Sequence, residues 1–435
     1  MRFSDLGSRF AGGTGTGSLM RDLTRLPELP VGHAGVCRLG GGNPALLPAV
    51  MNHYRQALSE LAESQTRFAN TFGRYAAQHG DPAFIDALCR VLQDEHGLPV
   101  GPENVLLTNG SQNGFIQLFN LFGGRADKGN RRHRILLPLA PEYIGYGDLS
   151  LGDELFVSRR PTIDCFAPSR FKYGLNLDGL DTLEDLALEP DEHIGALCVS
   201  RPTNPTGNVL TDAEVSALVT LAEQRDLPLI MDNAYGAPFP DIIHVPAQLP
   251  DSPNVVLSMS LSKLGLPGVR AGIIVAHADL IAALVEMNTV MNLAPVSIGP
   301  AMLAPLLASG QLAELTREHI RPWYRARATQ VLAQFDALFH DLPVRAHAHE
   351  GAIFLWLWFE GLPISTQAFY KRLHADGVVV VSGHHFFPGL AEDPHAPWQH
   401  RHECLRISFA GEESEVMRGM EVISAHAHQL YDQAG

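Results

Sequence analysis

From about residue 83 onward, apolar runs of strand length alternate with amphipathic helical stretches. The apolar runs are "NVLLT", "RILLPLA", "IGALCVS", "PLIMD", "NVVLSMS" and "AGIIVAH". The helical stretches carry end signals, such as Gly97 after one of them and a capping box from Thr211 to Glu214 in another. Apolar strands that alternate with capped helices are typical of a mostly parallel sheet covered on both faces. The pattern therefore predicts an α/β fold.

The pattern changes after about residue 300. A long helical stretch, "GQLAELTREHIRPWYRARATQVLAQFDALF", precedes the apolar runs "AIFLWLWF", "GVVVVS" and "CLRISFA". These elements predict a smaller α+β domain, with the domain break within 300–320. The first forty or so residues are glycine-rich and weakly patterned, and their "GGTGTG" lacks the preceding strand and the spacing of a phosphate loop. The predicted organisation is an N-terminal arm over 1–45 that contributes to the small domain, a large domain over 46–305 and a small domain over 306–435.

Composition narrows the class of protein. The 435 residues carry a formal charge of −15, which argues against a nucleic acid or an anionic membrane as the main partner. Five scattered cysteines without a CxxC pair give no disulfide or zinc framework and favour a reducing compartment. The N-terminus has no apolar signal-peptide region, and no apolar run approaches the length of a membrane span. The sequence predicts a cytoplasmic protein.

Lysine is scarce in this chain. Arginine supplies 28 of the 32 basic residues, and the only lysines are Lys128, Lys172, Lys263 and Lys371. A preference for arginine codons would make these lysines incidental. Alternatively, position 263 requires an amine that can lose its proton and form a covalent bond, which a guanidinium group cannot do. The count alone leaves both interpretations open.

Residues just after the strands are candidate ligand contacts, because open α/β sheets bind ligands beyond the carboxyl ends of their strands. After "NVLLT", Gly110, Ser111 and Gln112 begin a helix, where unpaired N–H groups and the helix dipole favour a phosphate. An ordinary helix cap explains these three residues equally well.

Three further strand ends carry polar or aromatic side chains. Tyr143 could stack on a planar ligand, although a lone tyrosine more often packs in a core. Asn204 could point an amide out of the sheet, although turn chemistry is the default explanation for it. Asp232 ends an apolar strand, where a carboxylate is costly unless it is paired with a cation or metal.

The strand ends together meet the requirements of one cofactor. They offer phosphate donors, a buried acid, and the amine of Lys263 with Ser260 and Arg270 nearby. Pyridoxal 5′-phosphate needs a lysine for its aldehyde, an acid that keeps its ring nitrogen protonated, and a cradle for its phosphate. The set therefore indicates a pyridoxal-phosphate site.

Several motifs resemble those of the fold-type-I aminotransferases, the aspartate aminotransferase superfamily of pyridoxal-phosphate-dependent enzymes. They are "SLSK", "PGVR", "NPTG", "DNAY" and "LRISFA". The longer stretches "LGGGNPALLP", "LTNGSQNGF", "APEYIGYGD", "SRPTNPTGNV", "DNAYGAPFP", "MSLSKLGLPG" and "EGAIFLWLWF" resemble the valine–pyruvate branch of that superfamily. The likeness extends from about residue 39 to 410. It implies a large domain with a mostly parallel seven-stranded sheet between helices and a smaller α+β domain.

The resemblance also implies a role for each motif residue. Lys263 would bind the cofactor aldehyde covalently and, once freed by the substrate, carry the proton from Cα to the cofactor. The cofactor would be held by side chains and backbone from several strand ends. Its ring would be contacted by Asp232, Tyr235, Asn204 and Tyr143. Its phosphate would be bound by Gly110, Ser111, Ser260 and Arg270, with Gln112 as a weaker match to the family motif. Tyr75 would reach the cofactor phosphate of a neighbouring subunit in a homodimer. The substrate would be bound by Arg406 at its α-carboxylate, with Gly42 and Asn204 beside it.

The function implied is exchange of the amino group between L-valine and pyruvate, giving 3-methyl-2-oxobutanoate and L-alanine in two half-reactions. Its partners would be small amino acids and 2-oxo acids. Three alternatives stay open: transfer from other aliphatic or aromatic amino acids, β-elimination on the same fold, and a regulatory module without turnover. The last would need a DNA-binding domain, for which the arm before Gly42 is too short.

The region 382–402 departs from the family pattern and is rich in histidine. Ser382 stands where the family often has a proline. The histidines lie in an irregular stretch without helical spacing, so a lid or substrate-adjacent loop is favoured over a metal site; they are His384, His385, His395, His400 and His402.

Overall fold

The computed structural model describes residues 2–24, 35–126, 131–152, 154–183, 186, 188–392, 395 and 397–434. Lys128 and part of the predicted arm, residues 1 and 25–34, lie outside this set. The helices of the described residues, α1 to α13 in chain order, are Asp5–Ala11, Gly15–Thr24, Pro48–Glu63, Gln65–Phe72, Pro82–His96, Ser111–Phe122, Asp212–Arg225, Ala278–Asn292, Ile298–Ala308, Gln311–Leu315, Arg321–Phe339, Thr366–Ala375 and Glu413–Ala434. None of them is long and apolar enough to cross a membrane.

The strands, β1 to β16, are Cys37–Arg38, Val105–Thr108, Gly124–Arg125, Arg132–Leu137, Phe156–Ser158, Thr162–Ala167, Arg170–Gly174, Glu192–Ser200, Leu229–Asp232, Val255–Ser260, Gly272–Val275, Val344–His347, Phe354–Phe359, Val378–Val379, Val381–Ser382 and Cys404–Ser408. They form a large sheet, a second sheet of six strands and a two-stranded pair.

The helix ends follow the local signals in the sequence. Gly97 ends α5 with a left-handed φ of 70°, a conformation that glycine adopts without steric cost. Thr211 accepts from the backbone N–H of Glu214, and the Glu214 side chain accepts from the backbone N–H of Thr211, which begins α7 with a complete capping box. Both predicted helix ends are confirmed.

The large sheet has the order β2-β11-β10-β9-β8-β4-β3, with β5 paired to β4. Strands β5, β4, β8, β9 and β10 run parallel, and β11 runs antiparallel to both of its neighbours. The prediction of a mostly parallel sheet is confirmed. The sheet has eight strands rather than the predicted seven, because the two-residue strand β3 extends it beyond β4.

Helices cover both faces of this sheet. Successive strand residues pack into different hydrophobic clusters, as Leu106 and Leu107 do on β2, and Ile230 and Met231 on β9. All four of these side chains are fully buried. Burial on both faces explains why the strands are continuous apolar runs rather than alternating ones.

The second sheet has the order β15-β16-β13-β12-β7-β6. The run "FLWLWF" forms its buried strand β13, as predicted. Strands β6 and β7 lie within the range 46–305 predicted for the large domain, yet β7 pairs with β12. At the other end of the chain, β1 of the N-terminal arm pairs with β14. The second sheet therefore joins strands from two separate parts of the chain, and the arm pairs with a strand of the predicted small domain.

Candidate active site

The carboxyl ends of the parallel strands open onto a cavity of about 1220 Å³. Eleven of the predicted site residues line it: Gly42, Ser111, Gln112, Tyr143, Asn204, Asp232, Tyr235, Ser260, Lys263, Arg270 and Arg406. These residues come from stretches of chain that are far apart in sequence. The residues chosen by the strand-end rule thus lie around one space, together with Gly42, Tyr235 and Arg406, which were chosen from the family resemblance.

Lys263 lies in a single 3₁₀ turn, Leu261–Leu264, directly after β10. Its Nζ donates a hydrogen bond of 2.8 Å to the backbone oxygen of Gly42. Burial lowers the pKa of the Lys263 amine to about 8, and the charges of Arg406 and Arg270 act in the same direction, while Asp232 opposes them. A lowered pKa raises the fraction of neutral amine near neutral pH, which is the form that attacks a carbonyl carbon.

Asp232 ends β9 and is buried. Its Oδ2 accepts a hydrogen bond of 2.8 Å from the hydroxyl of Tyr146, and its Oδ1 accepts one of 3.1 Å from the backbone N–H of Ala234. Burial raises the pKa of Asp232 to about 6, although these two hydrogen bonds and the charge of Lys263 favour the carboxylate. The carboxylate form therefore prevails at neutral pH.

Tyr146 was not identified from the sequence. Burial raises the pKa of its hydroxyl well above 10, so it remains a proton donor toward Asp232. It ends the 3₁₀ turn Ile144–Tyr146, which directly follows the predicted stacking residue Tyr143, and the two rings meet edge to face at 5.4 Å. The sequence feature that could have identified Tyr146 is its position three residues after Tyr143, beyond the end of a strand. Residues three apart align on one side of a 3₁₀ turn.

Tyr146→Phe is expected to raise the pKa of Asp232, because it removes a hydrogen bond that favours the carboxylate. Hydrogen bonds to charged groups contribute about 1.5–3 kcal/mol, so the acid limb of the pH profile of kcat should rise by about one pH unit or more. The matched control is Tyr431→Phe, which removes a hydroxyl that donates to the backbone oxygen of Glu360. An unmoved acid limb in the Tyr146 variant would contradict this role.

An anion-binding region lies where β2 meets α6. Gly110 precedes Ser111 with a φ of 96°, and a Cβ at this position would lie 2.6 Å from Nη2 of Arg270. The backbone conformation favours glycine there, because a residue with a side chain is strained at this φ, and a side chain would also displace the guanidinium of Arg270. The N-terminus of α6, the guanidinium group and the nearby Ser260 hydroxyl together suit a phosphate.

Arg406 on β16 closes the other side of the cavity and is only 3% exposed. Its Nη1 donates to Oδ1 of Asn204 at 2.8 Å, and its Nη2 donates to the backbone oxygen of Gly40 at 2.7 Å. Burial lowers the pKa of this guanidinium to about 10, so it stays charged at neutral pH. With its Cζ 4.2 Å from the centroid of the Phe354 ring, it is held rigidly and suits a carboxylate.

The hydroxyl of Tyr235 is among the polar groups of the cavity that have no partner within the described part of the chain. The hydroxyl of Tyr235 is buried and forms no hydrogen bond, although the residue lines the cavity beside Lys263, with Nζ 5.3 Å from its ring centroid. Buried hydroxyls are costly unless they are hydrogen-bonded. Its placement therefore fits a ligand oxygen.

Two predicted residues lie outside the cavity lining. Gly110 packs behind it against Arg270. Tyr75 is 82% exposed and does not line the cavity of its own chain.

The histidines of region 384–402 are dispersed. His384 bonds to Ser382, His400 packs against Trp358, and His402 pairs with Glu392. Within the described ranges, no group of three or more histidine, cysteine or acidic residues is placed to hold a metal ion.

Residues 34–423 match the family model described as aminotransferase class I and II. The chain belongs to this aminotransferase family. It is 41% identical over 431 residues to the valine–pyruvate aminotransferase of Escherichia coli K12, covering 99% of both chains. The crystal structure of valine–pyruvate aminotransferase from Salmonella typhimurium LT2 is similar, with a TM-score of 0.84, 41% identity, and coverage of 96% of this chain and 100% of that one.

A more distant structure, aspartate aminotransferase of Thermus thermophilus with maleate, shares 20% identity and has a TM-score of 0.77, covering 98% of this chain and 100% of that one. At this identity the likeness concerns the fold alone. The predicted fold class, fold-type-I aminotransferase, is confirmed.

Proposed function

We propose that this aminotransferase uses pyridoxal 5′-phosphate to exchange the amino group between L-valine and pyruvate. The observation that carries the proposal is the placement of four groups around one cavity. They are the amine of Lys263, the carboxylate of Asp232, the anion-binding region at Ser111 and the guanidinium of Arg406. The valine–pyruvate pair rests on the 41% identity to the Escherichia coli relative.

The cavity residues fit this cofactor. Asp232 offers a buried carboxylate for a protonated ring nitrogen, and the partnerless hydroxyl of Tyr235 offers a donor for a ring oxygen, with Asn204 nearby. Tyr143 would cover the ring. The phosphate would be bound by the predicted set Gly110, Ser111, Ser260 and Arg270, with Gln112 next to them; the Gln112 side chain donates to the backbone oxygen of Gly145 at 3.2 Å.

When bound, pyridoxal phosphate would supply an electron-withdrawing ring and an aldehyde carbon that accepts the amino group in one half-reaction and gives it up in the other. The chain supplies the remaining steps. Lys263 would hold the cofactor through its aldehyde carbon and, once its amine is free, would take the proton from the substrate Cα and return it to the cofactor. Asp232 would hold the proton of the ring nitrogen in place. Arg406 binds the α-carboxylate and orients the substrate beside Gly42.

Besides Arg270 and Arg406, the described lining of the cavity contains Arg38 and Arg327. Arg38 pairs with Glu415 at 3.5 Å, whereas Arg327 lies 3.7 Å from Glu413 and its buried Nη1 has no hydrogen-bond partner among the described residues. Arg327 therefore offers a guanidinium to a second carboxylate, and the preference for an aliphatic amino acid rests on the identity to the Escherichia coli relative.

Initial rates with pyruvate and a series of L-amino acids test the proposed substrate. Valine is expected to have the highest kcat/KM, and isoleucine and leucine should follow within roughly 10–200-fold, because one methylene changes apolar binding by about 1–3 kcal/mol. Aspartate should be poorer than all three. A higher kcat/KM for aspartate, or release of pyruvate from a cysteine-like substrate without amino transfer, would overturn the assignment in favour of the alternatives.

We infer that the active form is a homodimer in which Tyr75 completes the partner's site. Tyr75 is exposed and outside its own cavity. Large apolar side chains are also exposed at two places, Phe68 and Phe72 on α4, and Val290 and Leu293 at the end of α8. Such exposure is typical of surfaces that are covered in an assembly. The cytoplasmic location stays a prediction.

Mixing two inactive variants tests this arrangement. Refolding Lys263→Ala together with Tyr75→Ala is expected to restore activity, because a hybrid dimer has one site with both residues intact if Tyr75 acts across the interface. If Tyr75 acted within its own chain, no hybrid site would be intact. Activity no higher than the sum of the separate variants would therefore contradict the arrangement.

A further inference from the structure

Glu142 is a buried acid to which the proposed reaction assigns no role. It lies next to Tyr143, and its side chain is 1% exposed. Its Oε1 accepts from the backbone N–H of Ser200 at 2.7 Å, and its Oε2 lies 2.5 Å from Oγ of Ser200 and 3.3 Å from the backbone N of Tyr143. No ion pair formed by the described residues includes Glu142. A buried carboxylate without a cation is costly, which favours the protonated acid.

A second acid lies close to Glu142. Ser200 ends β8 and is the direct register partner of Asp232 on the neighbouring strand β9. Both Ser200 and Asp232 line the cavity. Two ionised acids in one buried region repel each other, which favours retention of a proton on one of them.

The hydrogen bonds decide which acid retains the proton. Asp232 accepts from the Tyr146 hydroxyl, which remains a donor, and Lys263 contributes a nearby positive charge. Glu142 has only the hydroxyl and N–H of Ser200 and the long contact to Tyr143. A hydroxyl can accept as well as donate, so protonated Glu142 can donate to Oγ of Ser200 without losing its bond to the Ser200 N–H.

We propose that Glu142 is a positioning residue that stays protonated, donates its hydrogen to Ser200 Oγ, and leaves Asp232 as the ionised acid at these strand ends. The Ser200 hydroxyl hydrogen is then free to point toward the cavity. The functional part of the inference rests on the proposed use of pyridoxal phosphate, because it is the ring nitrogen that requires an ionised Asp232.

The electrostatic surroundings agree with this assignment. Burial, together with a smaller contribution from the charge of Asp232, raises the pKa of Glu142 to about 8, although the bonds from Ser200 and Tyr143 oppose the change. The other titratable groups that face Glu142 are Cys198 on β8, and Tyr143 and Tyr146 on its own turn. The burial of Cys198 and Tyr146 raises their pKa values well above the ordinary ones, so they are neutral near pH 7.

Infrared spectroscopy of the full-length protein freed of cofactor tests the protonation state directly. At pH 7 the wild type should show the carbonyl stretch of a buried protonated carboxylic acid. The band should be absent in Glu142→Gln and retained in Asp232→Asn. In the wild type it should disappear as the pH is raised through about 8. A wild type without this band, or a band unaffected by Glu142→Gln, would overturn the proposal.

Cofactor affinity gives the functional readout. Glu142→Gln keeps a neutral donor and acceptor and should bind pyridoxal phosphate about as tightly as the wild type. Glu142→Leu keeps the size but leaves the Ser200 groups unpaired, and should weaken binding by about tenfold. Equal affinity of both variants would contradict a positioning role. If the wild type itself did not bind pyridoxal phosphate, the proposed function would fail. The infrared result would still decide the protonation state of Glu142.

Discussion

Lys263→Arg should abolish amino transfer. The arginine keeps a positive charge at the turn after β10 but cannot form the covalent bond to an aldehyde, and it cannot act as a base at neutral pH. Loss of a general base alone lowers a rate by about 10²–10⁴-fold, and loss of covalent attachment adds to this. The measurement is kcat with valine and pyruvate at saturating pyridoxal phosphate, so that weaker cofactor binding does not obscure the result.

Lys371→Arg is the matched control for this variant. Lys371 is exposed on α12, away from the cavity, and the same change of side chain there should leave kcat unchanged. A Lys263→Arg variant with more than about a hundredth of the wild-type kcat would contradict the role of Lys263 as nucleophile and base.

Arg406→Lys should mainly raise KM for both the amino acid and the 2-oxo acid. A lysine retains the charge but cannot present two parallel N–H groups to a carboxylate, and it cannot keep the bonds to Asn204 and Gly40 at the same time. Hydrogen bonds between charged groups contribute about 1.5–3 kcal/mol, so kcat/KM should fall by about 10- to 100-fold. Steady-state kinetics with each substrate varied in turn measure the change.

Arg401→Lys provides the comparison for Arg406. Arg401 precedes the same strand, pairs with Glu392 at 3.4 Å and lies outside the cavity lining. The Arg401→Lys substitution should leave the KM values for the amino acid and the 2-oxo acid unchanged. If Arg406→Lys lowered kcat while both KM values stayed the same, carboxylate binding by Arg406 would be contradicted, because such a change reports an interaction made only in the transition state.

The sequence predicted those parts of the site that follow directly from strand ends. Asp232 and Lys263 directly follow apolar runs, and the carboxyl ends of parallel strands share one edge of the sheet, so their neighbourhood could be deduced without coordinates. Arg406 could not be placed in this way, because its strand belongs to the second sheet. Its role came only from the resemblance of "LRISFA" to the family motif.

Tyr146 and Glu142 show what the sequence could not supply. Both belong to the stretch "PEYIGY", and both act on side chains from other strands, Asp232 and Ser200. Which of several neighbouring polar residues turns toward which strand depends on the path of the turn. That path is determined by packing rather than by local propensity.

Local sequence patterns also could not predict which strands form the second sheet. Strands β6 and β7 follow the large-sheet strand β5 closely in sequence, yet β7 pairs with β12 more than 170 residues later. Alternation of apolar residues predicts that a segment is a strand, but it does not say which distant strand is its partner. The boundary at 46–305 therefore took in a hairpin that belongs to the second sheet.

The absorbance spectrum of the protein loaded with pyridoxal phosphate, recorded before and after addition of L-valine alone, tests directly whether Lys263 and the cofactor carry out amino transfer. We expect a band of the Lys263-bound aldehyde form that converts to the amine form of the cofactor with valine and returns when pyruvate is added. A loaded wild-type protein without the first band, or one whose band is unchanged by every amino acid tested, would contradict it.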